Sequence, residues 1–470
     1  MMAISGTEVS LGQQLFGQAR LGDRRRSARM AAIFDLMQRH PGGSLPDKLT
    51  SPPDLRAFYR LCNCPAVTHA AIIEAVRDYT TRRIKQCDDP VLLLHDATEL
   101  DYTSHHAVTG ELAQIGTGTG RGFICQNVLA VNAVSGEVLG LMDQILHLRD
   151  EVPDNETLEE HRQRETRESL LWLRGTDHLP AELNEKVIDV SDQGSDTFEF
   201  LEHEYQSGRG FVIRACKKRK VYAGHEATGR TSYLKDYAHS LPELGRFTMD
   251  VQSQKGRSAR KQAEFTIRGG AVLICPPHAR HGNHGQDPLP LYVVQITEQQ
   301  PPNGEKAIDW MLVTNRCVSS LSDAWEVSEW YERRWIVEEF HKAQKTGCQV
   351  EEMQFTTRDR LEPAIAVLSM VAVTLLNLRD ASRQADARTR LATTVIAPDY
   401  VTVLSVWRHG SVRPGVTVHD FFLMLARLGG HQNRRSDKRP GWLILWRGWT
   451  RLQAMLDGYD AANRTKCGKT

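Results

Sequence analysis

A chain of 470 residues has length for two to four domains and an ample buried core. Its 40% hydrophobic and 25% charged residues are ordinary for a soluble globular protein, and a net charge of +1 leaves no global field, so any nucleic-acid signal has to come from local clusters. Nine scattered cysteines, with only Cys62 and Cys64 close together, exclude a disulfide framework and make a poor zinc ligand set.

The opening residues MMAISGTEVS lack the basic and apolar regions of a signal peptide, and a cytoplasmic location is expected. Residues 1–86 read as helical. SARMAAIFDLMQRH sets Met30, Ile33, Phe34 and Met37 on one face, SPPDLRAFYRLCN opens at Ser51 before two prolines, and PAVTHAAIIEAVRDYTTRRIKQ is a third helix. Arg20, Arg24, Arg25, Arg26 and Arg29 form a basic cluster ahead of them.

From about residue 87 the character changes. PVLLLHDATEL is a short apolar run ending in Asp96, as in a strand buried on both faces. FICQNVLAVNAVSGEVLGLMDQILHL reads as two strands joined around Ser135 and Gly136. A charged helix, NETLEEHRQRETRESLLWLRG, follows. A strand then ends near Asp192, a helix succeeds it, and GRGFVIRACKKRKVY is a strand entering a basic segment. Residues from about 217 to 315 are β-like runs between Gly-, Pro- and His-rich turns, and they read as a β-rich insertion. Helices resume at Ser322. The apolar run 364–378 falls short of the roughly 20 residues of a membrane span, so a buried core helix is expected and no membrane partner. The tail from about 395 to 470 is again helical.

WYERRWIVEEFHKAQKTGC, from Trp330 to Cys348, mixes aromatic rings with dense charge. If 322–346 is one α-helix, Tyr331, Arg334, Glu338 and Lys345 fall within an arc of about 60°, and Glu339 points about 100° away. A solvated face with i,i+4 ion pairs accounts for such spacing and stabilises by a few tenths of a kcal/mol. Two features favour a site instead. Trp330 and Trp335 flank the array, so part of the helix is expected to be buried, and two earlier strands each end in an aspartate, Asp96 and Asp192. Carboxylates at strand ends plus one from a packed helix can assemble a hard divalent-cation site, and two such ions can clamp an in-line phosphoryl displacement.

The spacing Y-x-x-R-x-x-x-E-x-x-x-x-x-x-K at Tyr331, Arg334, Glu338 and Lys345 resembles the Y-R-E-K signature of cut-and-paste DDE transposases of the insertion-sequence-four family, and within it the transposon-five type. FGQARLGDRRRSAR and AFYRLCNCPAVTHAAI resemble the family's N-terminal DNA-end-binding domain. HDATELDY and VSDQGSDTFEFL resemble the segments around its catalytic aspartates, and LARLGG and LWRGWTRLQAMLDGY its C-terminal helical domain. The resemblance implies an α/β fold with an RNase H-like catalytic domain over 87–388, an end-binding domain over 1–86 and a dimerisation domain over 389–470. It implies Asp96, Asp192 and Glu338 as ligands of two Mg²⁺ (or Mn²⁺) ions, and Tyr331, Arg334, Lys342, Lys345 and Arg214 as DNA contacts. Trp310, 21 residues before Tyr331, takes the place of a Trp that stacks on a flipped base. The implied partners are transposon-end DNA, target DNA and a second copy of the chain, with no nucleotide cofactor and an association with the bacterial nucleoid. A DNA-binding regulator that no longer cuts, and an RNase H-like nuclease without strand transfer, are the alternatives.

Weaker signals surround this core. Residues 209–220 hold six Lys or Arg and no acid, which suits a phosphate-contacting strand, and 254–262 is a lesser case. Asp196 is a second candidate beside Asp192. GTGTGRG at 116–122 precedes a strand, so it is read as a flexible loop and not a phosphate cradle. His278, His281 and His284 lie in a turn-rich loop unsuited to metal.

Overall fold

Met30, Ile33, Phe34 and Met37 recur at helical spacing, and all four are fully buried. They belong to the second of five N-terminal helices in the computed structural model, which describes residues 9–152, 155–251, 253, 257–278, 283–434, 437 and 439–467. These helices are α1 (Leu11–Phe16), α2 (Arg24–Arg39), α3 (Leu45–Lys48), α4 (Pro52–Cys62) and α5 (His69–Gln86). Asp23 caps α2 by accepting from the Arg25 amide, so Arg24, Arg25, Arg26 and Arg29 lie inside this helix and not ahead of it. Helix α5 packs on the sheet that follows. Its Thr80 hydroxyl donates to the Leu141 carbonyl at 2.9 Å, and Arg83 donates to the Val138 and Leu139 carbonyls. A Cβ at Gly140 would stand 2.3 Å from the Thr80 hydroxyl, so only glycine permits this approach.

The run Val91 to Leu94 is buried throughout, as a strand covered on both faces requires. It opens β1 (Val91–Asp101), followed by β2 (Ala113–Gln114), β3 (Arg121–Asn132) and β4 (Val138–His147). Gly136, at φ +73°, makes the turn between β3 and β4. The expected charged helix over 155–175 is instead two short helices, α6 (Leu158–Gln163) and α7 (Leu171–Arg174), with a 3₁₀ turn between them. Then come β5 (Val187–Ser191), α8 (Phe198–Ser207) and β6 (Gly210–Arg214). β1 pairs antiparallel with β3 and parallel with β5; β3 pairs antiparallel with β4, and β5 parallel with β6.

The insertion holds β7 (Lys220–Ala223), β8 (Ser232–Tyr233), α9 (Leu234–Ser240), β9 (Glu243–Val251), β10 (Arg260–Ile274), β11 (Leu289–Glu298) and β12 (Asp309–Thr314). Its last strand returns to pair antiparallel with β6. The insertion therefore prolongs the sheet, giving 12 strands with the backbone order β2-β3-β1-β5-β6-β12-β11-β10-β7-β8.

The remaining helices are α10 (Leu321–Glu332), α11 (Trp335–Lys342), α12 (Arg358–Arg383), α13 (Pro398–His409), α14 (Val418–Leu428) and α15 (Trp442–Cys467). By length and composition α12 is long and apolar enough to cross a membrane, the one such helix among the described residues. Yet every residue from Ala364 to Val373 is at most 1% exposed inside the protein, as expected of a core helix. One hydrophobic core runs through the N-terminal helices, the sheet and the C-terminal helices, from Leu15 to Leu456. Cys62, Cys64, Cys87, Cys125, Cys216, Cys275, Cys317 and Cys348 are free.

Candidate catalytic and DNA-facing site

The β1–β5 register pairs His95 with Ser191, and there β5 ends. β1 continues to Asp101 because β3 keeps pairing with it. Asp96 is thus not at the end of its own strand, as expected, but at the level where its parallel neighbour stops. Asp192 is the next residue of that neighbour. It caps a short turn, its Oδ1 accepting from the Gly194 amide at 2.9 Å.

The single helix expected over 322–346 is broken. α10 stops at Glu332, α11 starts at Trp335, and residues Ala343–Gly347 widen into a π turn. Arg334 stands at the break. Its guanidinium donates to Asp96 Oδ2 at 3.0 Å and to Glu338 Oε1 at 2.5 Å. The helical array therefore divides. Arg334 and Glu338 join Asp96, whereas Tyr331 joins Trp310 and Arg214. The Tyr331 ring meets Trp310 edge-on, centroids 5.6 Å apart, and Arg214 lies 5.9 Å over the Trp310 ring. Tyr331 is 5% exposed, so it supports the half-buried Trp310 from beneath. Lys342 is exposed; Lys345 pairs with Glu351 at 3.1 Å.

Burial pushes the Asp96 carboxyl up to about 6; Arg334 pulls it back, and Asp192 and Glu338 push it further up. Asp96 thus feels both of the other carboxylates and the Arg334 charge. Burial works against that charge, but Asp96, Tyr331 and Glu338 hold the guanidinium above its ordinary value. Three carboxylates are the donor chemistry a hard divalent cation takes. Among the described residues no three His, Cys, Asp or Glu side chains stand close enough to hold an ion as placed. As placed, Arg334 bridges Asp96 and Glu338.

Trp330 is buried as expected, at 7% exposed, but Trp335 is 41% exposed. It lies beyond the helix break, where the chain turns it outward. Arg379 sits 5.5 Å from its ring, held in turn by Glu339 and Asp380.

Two of the six basic residues in 209–220 are internal. Arg209 pairs with Asp189 at 3.0 Å and Glu204 at 2.9 Å, and Arg219 pairs with Asp196 at 2.5 Å. Asp196 also accepts the Cys216 and Lys217 amides, both at 2.7 Å, and is 1% exposed. It ties the loop after β6 to the turn after β5, and this is its role in place of a second metal ligand. Lys217, Lys218 and Lys220 remain exposed and Arg214 partly so. In the 254–262 segment, residues 254–256 lie outside the described residues, and Arg260 pairs with Glu298 and Glu305. GTGTGRG forms the β2–β3 turn, with Gly116 donating to Glu99. His278 lies against Lys220 and His284 packs on Phe198, while His281 lies outside the described residues.

Sequence reasoning missed the buried polar contact of α11 with the sheet, made by His341 on the helix and Asn127 and Gln144 beneath it. The visible signal was a polar residue on each of two apolar strands at positions that the hairpin pairs. Residues 10–67, which hold α1 to α4 and end before α5, match the family model described as Transposase DNA-binding, and that match supports a DNA-binding transposase.

Proposed function

We propose that the chain is a cut-and-paste DDE transposase of the insertion-sequence-four family, acting on transposon-end DNA and joining it to target DNA. The observation that carries this reading is that Arg334 joins Asp96 to Glu338 while Asp192 follows the strand that ends beside Asp96, in a chain whose residues 10–67 match a transposase DNA-binding model. The order β4-β3-β1-β5-β6, with β3 antiparallel to both β1 and β4 and β5 and β6 parallel to β1, supports an RNase H-like core.

In this reading Asp96, Asp192 and Glu338 hold Mg²⁺ or Mn²⁺, two ions at full occupancy. Divalent ions there supply activation of an attacking water or hydroxyl and stabilisation of the departing oxygen. Arg334, released from the carboxylates, turns to phosphate, and Lys342 and Lys345 hold the strand in line. Trp310, backed by Tyr331 and Arg214, stacks on a base turned out of the duplex end, which offsets part of the unstacking cost. Water cuts the phosphodiester at the transposon end and frees a 3′-hydroxyl; that hydroxyl attacks the opposite strand to give a hairpin, which is reopened and joined to target. Each step exchanges or hydrolyses a phosphodiester, so no nucleotide cofactor is required. Two copies synapse two ends through the C-terminal helices.

The test is incubation of the chain with Mg²⁺ or Mn²⁺ and DNA bearing its element's terminal repeats. Hairpin ends and joined products, abolished by Glu338→Ala, are expected. Binding without cleavage, indifferent to Glu338→Ala, would leave a regulator, and cleavage without joining would leave a nuclease.

A further inference from the structure

A row of polar side chains crosses the sheet beneath α11. Asp96 pairs with Asn127 of β3, and Asn127 pairs with Gln144 of β4. Paired positions share one face of a sheet, so the three point the same way. Asn127 and Gln144 are 0% and 3% exposed. The Gln144 amide donates to Asn127 Oδ1 at 2.7 Å and to the Ser369 hydroxyl of α12 at 2.9 Å. With its oxygen engaged, Asn127 turns its amide nitrogen to His341 Nε2 at 3.2 Å. His341 lies three residues after Glu338, one turn along α11. Beyond it, Gln344 of the π turn donates to the same Ser369 hydroxyl at 2.7 Å. At the far end His69, the first residue of α5, donates to Gln144 Oε1 at 3.2 Å.

The amide orientations set the direction of each bond. Gln144 supplies the hydrogens to Asn127 Oδ1, so Asn127 has hydrogens to offer and His341 Nε2 accepts. That requires a neutral ring, which burial secures by pushing its pKa down to about 3. A buried polar group left unpaired is costly, so slipping α11 along the sheet is opposed by bonds with a direction, which apolar contacts lack.

We propose that Asn127 and His341 are positioning residues for the metal site: their hydrogen bond holds the helix that carries Glu338 at a fixed height over the strand that carries Asp96. This rests on the reading of Asp96, Asp192 and Glu338 as metal ligands. The bond does not involve Arg334. Were a cation to take the place of the Arg334 charge, this bond would keep α11 on the sheet and Glu338 at its height over the Asp96 strand. Gln344 on Ser369 anchors the other end of the segment, past the π turn.

The test measures Mn²⁺ binding to the DNA-free full chain by calorimetry, with end-DNA binding in chelator and melting temperature measured alongside. His341→Leu and Asn127→Ala are expected to weaken Mn²⁺ binding about 10- to 100-fold, the range for groups that orient metal ligands. DNA affinity and its salt slope stay at the wild-type value. His341→Gln, which keeps a polar atom for Asn127, recovers most of the Mn²⁺ affinity. Wild-type Mn²⁺ binding in His341→Leu and Asn127→Ala, while Glu338→Ala loses it, overturns the proposal and leaves the metal-ligand reading intact. Loss of the fold in all three variants also overturns it, because the network would then be structural. Mn²⁺ binding that is absent in the wild-type chain, or indifferent to Glu338→Ala, overturns the ligand reading and the proposal together.

Discussion

Asp192 and Asp196 stand four residues apart in one turn, and the structure sets them opposite tasks. Asp192 spends one hydrogen bond on the Gly194 amide and leaves the rest of its carboxylate free beside Asp96. Asp196 is 1% exposed and accepts two amides and the Arg219 guanidinium, itself 7% exposed. Replacing Asp196 with Ala strands a buried guanidinium and two N–H groups. Breaking a buried ion pair from one side costs about 3–5 kcal/mol, so most of the protein's margin is at stake. Replacing Asp192 with Asn keeps an oxygen for the Gly194 amide and touches nothing buried, so its cost is within about 0.5 kcal/mol, the range for exposed substitutions.

Urea unfolding of both variants, with end cleavage in Mn²⁺ measured beside it, separates the two. Asp192→Asn should unfold like the wild type and fail to cleave. Asp196→Ala should unfold at much lower urea, with whatever folded protein remains still cleaving under conditions that favour the fold. The reverse pattern, a stable and inactive Asp196→Ala beside an active Asp192→Asn, would refute the assignment of the two carboxylates and the register argument behind it.

Other outcomes follow from the same geometry. The folded Asp96 carboxyl, raised to about 6 chiefly by burial, keeps its proton at pH values where the unfolded one, near 3.8, has lost it. Its contribution to metal-free stability is therefore fully present below about 3.8 and falls away as pH rises through about 6. Unfolding curves at several pH values check this, and Asp96→Asn should flatten the fall; parallel pH profiles would count against it. Mn²⁺ binding should strengthen over the same window, because the ligand has to shed its proton. Lys342→Ala removes an exposed cation and should lower the salt slope of end-DNA binding by about 0.9, and an unchanged slope would remove it from the phosphate contacts. Gly140→Ala would drive a methyl onto the Thr80 hydroxyl and should destabilise by about 1–3 kcal/mol, and in a Thr80→Ala chain, where that hydroxyl is gone, it should cost less in thermal melts.

What was legible in the sequence was what apolar pattern and turn residues encode locally. The helical face of Met30 to Met37, the buried run before Asp96, the hairpin at Gly136 and the β-rich character of about 217–315 all stand as read. What was not legible depends on partners far along the chain. Neither Arg333 nor Arg334 is a helix breaker by propensity, so the break at Arg334 carries no local mark; its side chain is committed to Asp96, 238 residues away. The outward turn of Trp335 follows from that break. Arg209 and Arg219 looked like part of a phosphate-contacting basic strand because their acids, Asp189, Glu204 and Asp196, lie on other elements. The strand through Asp96 looked finished because its apolar run stops there, yet β3 carries the pairing on to Asp101.

The insertion has a mechanical consequence for the proposed chemistry. Had it been a separate lobe on a hinge, Trp310 could drift relative to the carboxylates. Instead β12 is bonded to β6, β6 to β5, and β5 to β1, so Trp310 and Asp96 sit on one continuous sheet. Three strand spacings of about 4.8 Å put their strands ~14 Å apart, a separation set by backbone hydrogen bonds and not by side-chain packing. Tyr331 then links the ring to α10, one residue pair before the break from which Arg334 reaches Asp96. A base held on Trp310 and a phosphate held near Asp96 would therefore keep a constant offset through successive steps at the same centre. On this argument Trp310→Ala should leave end binding within about the 1–3 kcal/mol of one lost stack and act chiefly on the hairpin step, where the displaced base has to stay out of the way.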